Sequence, residues 1–318
     1  MHPILKLVVQ RCALGILLLF FASILIFAGT MILPGDVAQS ILGQSATPEN
    51  LANLRKELGL NDPPVARYFS WLFGVLRGDL GTALTNRLYI ADSLGQRLSN
   101  TLFLAFWAAV ISVPLAIFLG LLAVRYKDRW LDKLIQGVTL ASISIPEFLI
   151  GYVLMFFIAV KLGWAPSVAI VNDSMGVLEK LRSIALPVMV LTLVVLAHMM
   201  RMTRAAILNV MQSAYIETAE LKGLNSFQVI YRHALPNAVA PIVNVVMLNL
   251  AYLVVGVVVV EVVFVYPGMG QYLVDHVSKR DVPVVQACSL IFAAVYIGLN
   301  MIADIVSIIA NPRLRYPK

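Results

Sequence analysis

The sequence predicts an all-α polytopic membrane protein in which six apolar helices cross a bilayer. Hydrophobic residues make up 60% of its 318 residues and charged ones 13%, with a mean hydropathy of +0.87. A soluble domain averages about 45–50% apolar and about 25% charged, so this chain has too little polar surface to clothe a water-facing fold. The apolar residues also fall into six runs, at 12–33, 101–124, 134–160, 184–200, 238–260 and 284–310. Each run is near the ~20 residues that the hydrocarbon core of a bilayer requires. Basic residues gather beyond alternate ends of these runs, the pattern of a chain that crosses a membrane repeatedly.

The first run follows Lys6 and Arg11 and stays uncharged from Cys12 to Leu33. That exceeds the about 7–15 apolar residues of a secretory signal and marks a retained anchor. Residues 34–100 are the largest segment outside the runs. Within it, "LANLRKELGL" (51–60) spaces leucines 51, 54, 58 and 60 around charges, a short amphipathic helix that "NDPP" (61–64) ends. "YFSWLFGVL" (68–76) is too short to span and rich in aromatics, as interfacial segments are. The whole segment reads as an ordered cap. "RYKDRWLDK" (125–133) reads as a charged turn that anchors topology, and "PGMG" (267–270) as a turn ahead of a short amphipathic stretch. Pro114, Pro146, Pro187 and Pro241 fall inside runs, where packed neighbours re-satisfy the carbonyls that a proline frees. Cys12 and Cys288 lie near opposite faces of the bilayer, too far apart for a disulfide.

With the N-terminus inside, the inner segments carry thirteen basic residues: Lys6, Arg11, Arg125, Lys127, Arg129, Lys133, Arg201, Arg204, Lys222, Arg232, Arg313, Arg315 and Lys318. Against them stand Asp128, Asp132, Glu217 and Glu220, and the two short outer loops hold five basic residues. Loops longer than about 60 residues translocate regardless of charge, so 34–100 does not count. Both termini are expected inside. The net charge of +7 therefore reports topology rather than a nucleic-acid surface.

"SAYIETAELKGLNSFQVIYRHALPNAVAPI" (213–242) is a polar interlude with the marks of a built object. Ser213 is placed to N-cap a helix, and Glu217 early with Lys222 late is the order that the macrodipole favours. Gly223 is placed to close that helix in a left-handed conformation. Asn225 with Gln228 three residues on forms a capping box, and Pro236 is expected to stop the second short helix. Ala219 and Gly223 lie four apart, a small-residue patch that admits close approach by a partner. Connections between bundled helices usually run about 2–8 residues, so a loop this long and ordered implies a use.

These residues resemble the coupling loop of ABC importer permeases. Glu217, Thr218 and Ala219 stand in the E-A-A slot of that motif, Gly223 at its glycine, and Leu235 and Pro236 at its closing pair; Thr218 replaces the first alanine. The likeness covers nearly the whole chain. "ILPGDVA" (32–38), "LRKELGLNDPPVARYFSWLFGVLRGDLGTAL" (54–84), "RLSNTLFLA" (97–105), "RMTRAAILNVM" (201–211), "EVVFVYPGMGQYLVD" (261–275), "RDVPVVQA" (280–287) and "NPRLR" (311–315) are similar to dipeptide/oligopeptide-type permeases.

The resemblance implies a type I ABC importer permease fold of six transmembrane helices with a cytoplasmic coupling helix, in a bacterial inner membrane. It divides the chain into an anchor and extracytoplasmic region (1–94), a transport domain (95–310) and a cytoplasmic tail (311–318). It implies a second homologous permease in a heterodimer, two ATPase subunits and an extracytoplasmic solute-binding protein as partners. Substrates of such permeases include peptides, glutathione, nickel complexes, opines and sugars. The chain has no G-x-x-x-x-G-K-[ST] phosphate loop and no Gly-Lys pair, so ATP and Mg are expected on the partner ATPases, and no cofactor on this chain.

His2, His198, His233 and His276 are scattered, which supports no metal site, and no nucleophile elbow or close carboxylate pair suggests hydrolysis. A secondary transporter would instead need paired ionisable groups at the midplane. The third run holds one such group, Glu147, on a predicted small-residue face with Gly137, Ala141, Ser144 and Gly151. A charge there costs about 2.5–3.5 kcal/mol on insertion scales, so Glu147 is either protonated or bonded to a polar side chain of the partner permease, or, with Ser144, lines the translocation path. Met199, Met200 and Met202 in "HMMRM" (198–202) serve either as adaptable packing or as an inner gate.

Overall fold

The computed structural model describes residues 3–32, 37–57, 59–172 and 174–310. Apart from an isolated bridge between Thr82 and Tyr89, their regular structure is helical. Helix α1 (Pro3–Ile32) is followed by α2 (Val37–Leu42), α3 (Pro48–Glu57) and α4 (Pro64–Leu76). Next come α5 (Ile90–Arg125), α6 (Trp130–Ser144) and α7 (Glu147–Leu154), which continues as a π-helix over Met155–Lys161. Then follow α8 (Val177–Ser183), α9 (Ala185–Met211), α10 (Ala214–Leu221) and α11 (Ser226–Gln228). A π turn (Val229–Ala234) joins α11 to α12 (Leu235–Val263), and α13 (Met269–Ser278) and α14 (Val282–Ala310) complete the chain.

Five helical segments among the described residues are long and apolar enough to cross a membrane, and the α6–α7 pair makes a sixth if taken as one span. Several outrun their apolar runs. α5 begins at Ile90 because "IADSLGQRLSN" is itself amphipathic, with Ile90 and Leu94 buried against Met269, Val284 and Cys288. The division at 94/95 falls inside this helix, and the tail 311–318 lies outside the described residues.

The third span departs most from expectation. Its two helices meet at 103° across Ile145 and Pro146. The proline supplies the reason: its ring disfavours helical backbone in the residue before it, and Ile145 is extended, at φ −94° and ψ 129°. The small-residue face expected over 137–151 is therefore split between two helices. Gly137 and Ser144 lie on one arm, while Gly151 lies on the other and packs tightly on Val263.

The core forms where α5, α9 and α12 meet, around Leu104, Val190, Val195, Leu253 and Val257. Gly120 lets α5 approach α9 closely, since a side chain there would press on Thr203 and the Met200 carbonyl. α1 keeps Ile16, Leu18, Phe21 and Leu25 exposed, as a helix bathed in lipid would. It is fastened to α14 by Arg11 and Asp304 at 2.8 Å, and to α4 by Ser23 and Tyr68 at 2.9 Å. α3 and α13 form where amphipathic stretches were expected, and α4 covers the aromatic-rich stretch 68–76. Cys12 and Cys288 are both free.

The buried carboxylate of Glu261 (0% exposed) ties the end of α12 to the start of α13. Thr101 donates to it at 2.6 Å, and the backbone N–H groups of Gly270 and Gln271 donate at 2.7 and 3.1 Å. The sequence placed this residue just past a span. It lies inside α12, and Gly268 leaves the room that its carboxylate occupies.

Candidate functional site

The 213–236 element is as ordered as its sequence suggested, with two differences. Ser213 precedes α10 with extended backbone but without a side-chain cap bond. Gly223 closes α10 at φ +79°, the left-handed conformation that glycine adopts without strain. Leu224 N–H donates to Ala219 C=O at 3.4 Å and Gly223 N–H to Glu220 C=O at 2.9 Å, the paired bonds of a Schellman motif. Asn225 and Gln228 form the capping box with both bonds, at 2.9 and 3.3 Å.

The second difference is at Pro236, which does not stop a helix. Ser226–Val263 runs on as one helical segment, with Leu235 and Pro236 in the first turn of α12. The preceding π turn is the physical reason, because its wider coil gives the ring room that an α turn denies.

Ile216 points inward, packed with Ile207, Val229, Ile230 and Ala234, and Ala219 is buried as well. Ala219 is therefore no part of an open patch. The outward face carries Tyr215, Glu217, Thr218, Lys222 and Gly223, with Leu221 left 82% exposed. No atom comes within 4 Å of where a Gly223 side chain would start. Pro236 is exposed and Leu235 half-buried.

A buried ion pair missed by the sequence reading links this end to the broken span. Asp132 is 1% exposed and takes two bonds from Arg204 of α9, at 3.0 and 2.8 Å. Gln136 and the Asp128 N–H donate to it as well, at 2.8 and 3.1 Å. The 125–133 turn is thus a fastened joint as well as a charged anchor. The Asp132–Gln136 spacing on one helix face was the available signal, but Arg204 is 72 residues away.

At the break itself, Glu147 opens α7 and accepts a hydrogen bond from the Tyr252 hydroxyl of α12 at 3.1 Å. Ser144 is exposed, and its hydroxyl donates to the Leu140 carbonyl. Met199 and Met200 are buried in the core, whereas Met202 is 45% exposed. A separate cavity of about 820 Å³ lies beside the C-terminal end of α1, lined by Phe27, Trp71, Arg67, Asp79 and Arg280.

Broken and intact spans thus pack around one core, with an outward-facing capped helix at one end. Residues 87–316 match the family model described as "Binding-protein-dependent transport system inner membrane component", and residues 4–105 match the N-terminal model of the same systems. The chain belongs to this family, as a multi-pass inner membrane permease of an ABC importer with the type I fold. It is 32% identical to the "Probable peptide ABC transporter permease protein y4tP" of Sinorhizobium fredii, covering 97% of this chain and 99% of that one. It is 34% identical to the "Glutathione transport system permease protein GsiC" of Escherichia coli (strain K12), over 94% and 95% of the two chains. The fold resembles the solved MetNI methionine ABC transporter in an inward-facing conformation. The TM-score is 0.50 at 17% identity, covering 70% of this chain and 96% of that one.

Proposed function

We propose that this permease carries peptides or peptide-like solutes into the cell, and that residues 213–236 couple it to an ATPase subunit on the cytoplasmic side. Both termini lie inside in this reading, and residues 34–100 face the binding protein outside. A second homologous permease completes the pathway, two ATPase subunits hold ATP and Mg, and this chain holds neither. The names of the Sinorhizobium and Escherichia relatives support peptide or glutathione as the substrate class.

The observation that carries the coupling role is the outward face of α10, with Leu221 exposed on a helix capped at its end by Gly223. Glu217, Thr218, Gly223 and Pro236 are open to a docked ATPase. Ala219 and Leu235 serve from behind, by seating the helix on the bundle. A push on α10 travels through Ile216 into α12, and along α9 to Arg204, Asp132 and the broken span. Among the three methionines, Met202 is the one exposed for an inner gate.

The test is recovery of the ATPase subunits in a pull-down. Thr218→Trp and Glu217→Lys, on the exposed face of α10, are expected to lower it while the permease stays folded. Undiminished recovery together with normal transport would remove the coupling role. Single cysteines at positions 45 and 226 test orientation. An impermeant thiol reagent on intact cells is expected to label the first, and labelling of 226 alone would reverse the topology.

A further inference from the structure

Four carboxylates sit within the span helices beyond their exposed outer turns, and three are provided for by this chain. Asp132 has Arg204, Asp304 has Arg11, and Glu261 has a hydroxyl and two backbone N–H groups. Glu147 has one neutral donor, the Tyr252 hydroxyl on Oε1, and no cation among the described residues. It is half-buried, and its surroundings are open, with Ser144, Phe148, Tyr152 and Tyr252 all exposed.

The backbone beside it points the same way. Ser144, Ile145 and Pro146 are exposed where the helix is broken. Irregular backbone at membrane depth is tolerated only where protein covers it or water lines it, never against lipid. An ionisable group in such a place meets a partner charge or a water-filled path. Aromatic rings beside a carboxylate suit an ammonium ion, which gains from ring faces as well as from the opposite charge.

We infer that Glu147 and Tyr252 form a subsite for the ammonium group of the transported solute, on a water-lined face at the break of the third span. Oε2 of Glu147 takes the cation, and the Tyr252 hydroxyl holds Oε1 in place. The substrate part of this inference rests on the peptide reading above; the water-lined, cation-preferring face does not.

Two measurements on the assembled importer test it. The first replaces both native cysteines and places one at Ser144. Cationic and anionic thiosulfonates of equal size are then applied to vesicles. The cationic reagent is expected to react about tenfold faster or more, and Glu147→Gln in that background to bring the ratio near one. A cysteine that neither reagent reaches, or a ratio that ignores Glu147→Gln, would overturn the subsite.

The second measures uptake of a short peptide with a free amine. Glu147→Gln is expected to lower it about tenfold and Tyr252→Phe about threefold, with ATP hydrolysis and recovery of the second permease unchanged. Loss of the second permease in Glu147→Gln would reassign the residue to the subunit interface. Unchanged uptake would refute the substrate role. If the unsubstituted importer takes up no peptide, the peptide reading falls and the ammonium assignment with it, while the labelling ratio still judges the face alone.

Discussion

Asp132 and Glu147 stand on the two arms of one broken span and are held in opposite ways. Asp132 is sealed, with four donated bonds, two of them from the Arg204 guanidinium. Glu147 has a single phenol and an open surface. The sealed group lies where the loop after α5 must hold α6 to α9, close to the helix that leads into α10. The open group lies where the span breaks. The contrast is between a carboxylate whose charge is matched inside the chain and one that meets only a neutral donor at an open surface. The same division runs through α10, with Ile216 buried beneath and Leu221 displayed above.

The sealed arm should be the more costly to disturb. Asp132→Ala leaves Arg204 without its partner in a buried site, and the expected loss is about 3–5 kcal/mol. It would be read from the thermal unfolding of purified permease in detergent. Asp132→Leu combined with Arg204→Met should recover most of that loss, because no charge is then stranded. If Asp132→Ala unfolds at the temperature of the parent protein, the sealed and open arms do not differ in the way described.

Thr101→Val comes next. It removes the hydroxyl donor from Glu261 while keeping the shape, with an expected cost of about 1–3 kcal/mol. A loss confined to the α12–α13 joint would appear as faster hydrogen exchange in residues 266–278. Gly223→Ala should cost about 1–2 kcal/mol, because a Cβ strains the left-handed conformation that closes α10. Its space is open, so the effect is conformational and should register as fraying of α10 in hydrogen exchange. A fully protected α10 in that variant would show that packing on Ile216 suffices to hold it.

Tyr252→Phe should be the mildest in stability, at about 1 kcal/mol or less, since its hydrogen bond is exposed. Its thermal midpoint should stay near that of the parent protein. A loss as large as that of Asp132→Ala would make Tyr252 a structural strut and weaken the reading of the open arm.

Much of this was legible locally. The spans follow from composition, the closing glycine of α10 from its place after Lys222, and the capping box from Asn225 and Gln228. Such signals lie within a few residues of the structure they make. Pro146 was legible too, but its consequence was underestimated. A proline inside an apolar run permits either a kink or a full break, and the choice depends on what α9 and α12 offer each half. Pro236 erred the other way, because a π turn absorbed a residue that ordinarily ends a helix.

The sequence by itself determined the fold class, the apolar runs, the closing glycine and capping box of the 213–236 element, and the family to which they belong. All of these rest on periodicity and on short-range chemistry. Tertiary structure alone decided the 103° bend, the burial of Ala219, Met199 and Met200, and the partners of the charged groups. Arg204 lies 72 residues from Asp132, and Tyr252 lies 105 from Glu147. Burial and pairing over such separations are set by how helices dock, because a helix offers several faces and only packing selects the one that meets a given neighbour.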